Sequence, residues 1–130
     1  MSEPKAVSNI DTPKRLLQAY AAGQRAFSGL NLSQANLKGA DLKGADLSYA
    51  DLSGTDLSTA NLRGVDLSYA SLRGTNLSQA NLRGTMLIGT DLRQANITGT
   101  NFQDADYDPE ETNFPAGFDP VKAEMRRDRP

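Results

Sequence analysis

At 130 residues, 38% hydrophobic, with 14 Lys and Arg against 16 Asp and Glu, the chain holds one modest core and no basic excess for nucleic acid or an anionic membrane. It has no cysteine, which excludes disulfides, thiolate metal sites and cysteine nucleophiles, and no histidine, which excludes the commonest general base. Met1 to Asn9 are polar, and nowhere do the roughly 20 apolar residues of a membrane span run together, so a cytoplasmic protein is expected.

The first element is a helix. Thr12-Pro13 reads as its N-cap and first helical residue, and Gly23 as its stop. Between them Leu16, Leu17 and Tyr20 form a narrow apolar stripe, expected to cover the start of the next element.

That next element is a repeat. From Phe27 to Tyr107 a large apolar residue recurs at every fifth position: thirteen Leu, with Phe27, Ile97, Phe102 and Tyr107. Two residues before each, from position 30 to 105, stand nine Ala, five Thr, Val65 and Leu30. The residue just before each centre is Asp or Asn in fourteen of sixteen cases, the exceptions being Ser71 and Met86. A period of five fits neither a helix nor a continuous strand. It fits a short extended segment, whose small and large residues point the same way, leading into a turn. Each unit alone buries nothing, so units must stack on one another, as in a solenoid.

Residues 45–64 match 65–84 at 15 of 20 places; the same window matches at 13 under a shift of ten, and at 8 or 7 under shifts of fifteen or twenty-five. Four sides per coil is the expectation, giving just over four coils and a barrel roughly 20 Å tall at ~4.8 Å per coil. The run of A-(D/N)-L-x-x units from Ala35-Asn36-Leu37 to Ala105-Asp106-Tyr107 resembles the pentapeptide repeat family, in particular its small cyanobacterial members. The resemblance implies an all-β solenoid, a right-handed quadrilateral β-helix with the Leu or Phe and the preceding Ala buried.

After Tyr107 the register breaks, and Thr112-Asn113-Phe114 resumes the motif seven positions on. Phe114-Pro115 and Phe118 read as a lid on the last coil, and Asp119-Pro120 as the start of a short helix with Val121 and Met125 on one side. Arg126 to Pro130 reads as a frayed tail. The chain thus divides into a tail and capping helix (1–24), a repeat β-helix (25–108) and a C-terminal cap with a short helix (109–130), with α-helical caps at both ends.

The repeat leaves little room for catalysis. Its Asp residues lie one before each centre, pointing outward beside a turn where they bond local backbone, and the interior is filled by Leu. No cofactor, metal site or small-molecule substrate is expected, nor an exposed Thr array, since the Thr residues point inward. With four units to a coil, Lys43, Arg63 and Arg83 stack in a column, the first two with Asp46 and Asp66 three positions on as ion-pair neighbours. Tyr49 and Tyr69 stack on the outside of one face, where Met86 and Ile88 replace the usual Asp and Ser. These four residues are the candidate contact patch, for another protein or a second copy of the chain. The family resemblance also raises a different function, imitation of DNA to bind DNA gyrase. A mimic ~20 Å tall would want about twelve net negative charges. Residues 30–108 carry nine Asp against six Lys and Arg, a net of 9 − 6 = 3 negative. A non-enzymatic structural or protein-interaction module is the reading the sequence favours.

Overall fold

The structure, a computed structural model, describes residues 10–127. Thr12 caps helix α1 (Pro13–Ala21) by accepting a hydrogen bond from the Arg15 N–H at 3.2 Å. Gly23, at φ 98°, ends it: its N–H bonds the Tyr20 carbonyl and the next N–H, of Gln24, reaches back to Ala19. Of the expected stripe only Leu16 is fully buried against the first coil. Leu17 is 37% exposed, because one residue on is about 100° around the helix and off the covered side. Tyr20 is half-buried, donates its hydroxyl to the Lys43 carbonyl at 2.7 Å, and carries the Arg25 guanidinium 3.7 Å from its ring centroid.

The repeat forms a four-sided coil. Parallel bridges join Ala26 to Asp46, Asp46 to Asp66, Asp66 to Met86 and Met86 to Asp106, always four repeats on, and the other three sides keep the same step except at Asp91, whose partner Asn113 stands two residues later than that. Phe27, Leu47, Leu67, Leu87 and Tyr107 line one side; the ladders through Leu32, Leu37 and Leu42 line the rest, and nearly all are fully buried. One unit shows the bonding of the inner coils. Leu47 N–H donates to Asp66 in the next coil at 2.8 Å, Asp66 N–H donates back to Ala45 at 3.0 Å, and Ala50 N–H closes the corner onto Leu47 at 3.1 Å. The third residue of each corner turn takes positive φ, 70° at Gly39 and 62° at Tyr49.

The motif residues each satisfy a need of this coil. Asp46 accepts the Ser48 N–H at 2.9 Å, and Asn76 accepts that of Ser78 at 3.0 Å, so Asp and Asn serve equally. The inward Thr hydroxyls are satisfied too: buried Thr55, Thr75 and Thr90 and half-buried Thr100 donate to the carbonyls of Leu32, Leu52, Leu67 and Leu77 in the coil before.

The C-terminal end differs from expectation. The motif resumes at Thr112-Asn113-Phe114, with Asn113 bridging Asp91 and the Thr112 hydroxyl donating to the Leu87 carbonyl at 2.7 Å. Phe114 and Phe118 form the lid and pack on each other at 4.8 Å; Phe114 also meets Tyr107 at 5.8 Å, and Phe118 meets Phe102 at 5.2 Å. The helix expected from Asp119-Pro120 is absent: residues 120–124 are turns, so α1 is the one α-helix among the described residues. Met125 is buried, and β2 (Arg126–Arg127) pairs in parallel with β1 (Asp106–Tyr107). Met125 stands one coil-length after Ala105 and takes its place in a further coil. Arg126 and Arg127, expected to fray, are held by that strand; Met1 to Asn9 and Asp128 to Pro130 lie outside the described residues.

Candidate interaction face

The face that begins with Ala26 and Ser28 carries the candidate patch. Tyr49 and Tyr69 stand at its corner with φ of 62° and 61°, where glycine is the commonest residue of the repeat. Their rings stack at 5.3 Å and 17°. Tyr69 lies against the backbone of Gly89, the next residue of the column, so that a Cβ there would strike its ring. Its hydroxyl donates to Glu111 Oε2 at 3.1 Å, and that bond, with the Glu111 charge, holds the phenol above its ordinary pKa.

Met86 and Ile88 lie one coil beyond Tyr69 on the same face. Met86 bridges Asp66 on one side and Asp106 on the other, 42% exposed, and Ile88 is half-buried. Where Asp would accept the N–H two positions on, Met86 offers no acceptor; the substitution trades a local cap for exposed apolar surface. Glu111 and Gly89 join the face without having been expected from the sequence. Gly89 was legible there, being one full coil after Tyr69; Glu111 falls in the irregular link after Tyr107, where spacing predicts nothing.

Elsewhere on the barrel the carboxylates mostly turn to local backbone. Among the described residues Lys43 and Arg63 form no ion pair with Asp46 and Asp66, contrary to expectation, because those carboxylates turn to the backbone two positions on. The Arg93 side chain pairs with Asp91 at 2.9 Å and holds that carboxyl below its usual range, and Arg126 approaches Asp106 at 3.5 Å. A shallow groove of about 450 Å³ runs past Gln34, Gly54, Arg73, Gly74 and Gln94. Its one hydroxyl, on Ser53, donates to Asp51 at 2.6 Å, as Ser48 does to Asp46 and Ser58 to Asp56; this is turn chemistry rather than an activated nucleophile. Among the described residues no cluster of carboxylates could hold a metal, and no helix is long and apolar enough to cross a membrane.

The repeat register now has an independent measure. The family model for pentapeptide repeats matches in eight copies over residues 27–64, 43–79, 60–99 and 75–106. The chain belongs to the pentapeptide repeat family. A pentapeptide repeat protein from Nostoc Pcc 7120 is 47% identical, with a TM-score of 0.89 over 91% of this chain and 97% of its own. One from the Arabidopsis thaliana thylakoid lumen is 43% identical over 65% of this chain and 55% of its own, with a TM-score of 0.49. A third, from Nostoc sp. strain PCC 7120 and involved in heterocyst differentiation regulation, is 33% identical over 80% of this chain and 56% of its own, at a TM-score of 0.39. No curated protein matches the chain. Its fold is accordingly the right-handed quadrilateral β-helix of the pentapeptide repeat family, helix-capped at the N-terminal end alone among the described residues.

Proposed function

We propose that this pentapeptide repeat protein is a non-enzymatic interaction module that binds another protein through the face holding Tyr49, Tyr69, Met86 and Ile88. The observation that carries the reading is the convergence of a stacked, solvent-facing Tyr pair with two apolar departures from the repeat on one side of an otherwise polar barrel. A partner covering them gains roughly 25 cal/mol per Å² of apolar area, less the cost of association. The polar surface and its turn-bound carboxylates support a role without catalysis or cofactor. The reading includes a cytoplasmic site of action, although the Arabidopsis relative comes from the thylakoid lumen; fractionation of native cells tests that part. The alternative, a DNA mimic that binds gyrase, is disfavoured by the weak negative charge of the repeat, and Arg126, outside that count, approaches one of its carboxylates, Asp106.

Met86→Asp with Ile88→Ser restores the repeat consensus and so should preserve the fold while removing the contact. Sedimentation and native-extract pull-down of the double variant against the parent decide it. Unchanged association in both assays would sink the proposal.

A further inference from the structure

The Tyr column has a closed end and an open end. Tyr69 runs onto Gly89, whereas the position one coil before Tyr49 is Gly29, at φ +77°, where a Cβ would meet nothing within 4 Å. Tyr69 covers one face of Tyr49 and leaves the other to solvent: Tyr49 is 65% exposed against 47% for Tyr69. An aromatic face therefore looks onto open space above bare backbone.

The charged residues that flank Tyr49 in its own coil, Asp46 and Asp51, are acidic. Each gives Oδ1 to the N–H two positions on, at 2.9 and 3.1 Å, and to a serine hydroxyl at 2.6 Å. Neither has a basic group within ion-pair distance among the described residues, and Oδ2 of each stays available. In the coil before, the matching residues are Ala26 and Asn31; the nearby Arg25 is already committed to the Tyr20 ring and to the carbonyls of Tyr20 and Gln24. Around Tyr69 the equivalents are Asp66 and Ser71, and its hydroxyl is already held by Glu111, so both ends of the stack are acidic but only at Tyr49 do free carboxylate oxygens accompany an uncovered ring.

Resting on the reading of this face as a protein contact, we infer that the open side of Tyr49 receives an arginine side chain of the partner. Its guanidinium lies flat on the ring and donates to the free oxygens of Asp46 and Asp51. A planar, weakly hydrated, forked cation satisfies both features at once; an ammonium pairs without stacking as well, and a neutral ring leaves the carboxylates unanswered. Met86 lies two coils further along, about 10 Å, the reach of some three extended residues. The partner segment is therefore extended, with an apolar side chain about three positions from its arginine.

The test uses the full chain and a fluorescein-labelled peptide, Gly-Gly-Arg-Gly-Gly-Leu-Gly-Gly, with versions carrying lysine or citrulline for the arginine. Anisotropy titrations at low salt should rank the peptides arginine, lysine, citrulline. Tyr49→Leu should weaken the arginine peptide about two- to fivefold, as expected for an exposed cation–π contact. Asp46→Asn with Asp51→Asn keeps the oxygen that caps each turn, and should weaken it comparably and flatten its salt dependence. Circular dichroism of each variant checks the fold. Absence of binding, equal binding of the citrulline peptide, or an unmoved Tyr49→Leu titration overturns the arginine assignment. If that happens while the Met86→Asp, Ile88→Ser variant still loses association, the face remains a contact surface of other chemistry. A dimer in sedimentation that Tyr49→Leu dissolves gives the face to a second copy and likewise overturns it.

Discussion

Replacing Leu62 with Ala removes three carbons from the middle of a ladder in which Leu42, Leu62 and Leu82 are all 0% exposed. At ~0.8 kcal/mol per buried methylene the transfer part is about 2.4 kcal/mol. The walls around the hole are ill placed to close it. Leu62 N–H is tied to Asn81 at 2.8 Å, Leu42 N–H to Asn61 at 2.9 Å, and Val65 N–H closes the corner at 3.1 Å. If some 50 Å³ stays open, ~24 cal/mol per Å³ adds about 1.2 kcal/mol, for a total of about 3.6 kcal/mol. Leu62→Lys should cost more, since its charge would be buried without a partner. Asp56→Asn is the control: Asn retains the oxygen that accepts the Ser58 N–H at 3.0 Å, and seven repeats already use Asn there. Urea denaturation monitored by far-UV circular dichroism should place the midpoints in the order parent, Asp56→Asn, Leu62→Ala, Leu62→Lys. An Asp56→Asn midpoint as low as that of Leu62→Ala would refute the assignment of inside and outside.

Gyrase supercoiling should be unaffected by the protein in excess, and salt-sensitive inhibition at micromolar protein would reverse the ranking of the two functions. Asp91 is held below the usual carboxylate range by Arg93, so its contribution is present above the unfolded carboxylate pKa and fades as pH falls through the folded one; thermal melts of Asp91→Asn should lose part of the parent's acid-limb slope, and identical slopes would contradict this. Gly89→Asn should destabilise more than Gly74→Asn, since both glycines have positive φ but only a Cβ at Gly89 meets the Tyr69 ring. Denaturation of the pair measures the difference, and equal midpoints would show that Tyr69 moves aside freely.

The solenoid was legible because its period is written in residues that have one physical job each. Leu at the centre fills the coil, Asp or Asn before it caps the turn, and the 15-of-20 self-match of residues 45–64 reported the four-unit coil that the bridges display. The C-terminal end misled because Val121 and Met125 are four apart, a helical spacing, whereas Met125 is buried as the counterpart of Ala105. That relation was also in the sequence, but the irregular link between Tyr107 and Thr112 hid it from a count by fives. Of the candidate face, the Tyr49–Tyr69 stack followed from their spacing. The side chains of Lys43 and Arg63 did not follow, because spacing places a charge near another without saying that backbone amides will claim the carboxylate first.

The step of four repeats, kept by every isolated bridge of the coil except Asp91 to Asn113, restricts how such a chain can change length. Inserting four whole repeats adds a storey and leaves every later side chain on its original side. Inserting a single repeat turns everything beyond the insertion by a quarter revolution, carrying Met86 and Ile88 away from the side that holds Tyr49. Natural variation in length should therefore come in whole coils between Tyr49 and Met86, and in single units only where no surface depends on the alignment of the two ends.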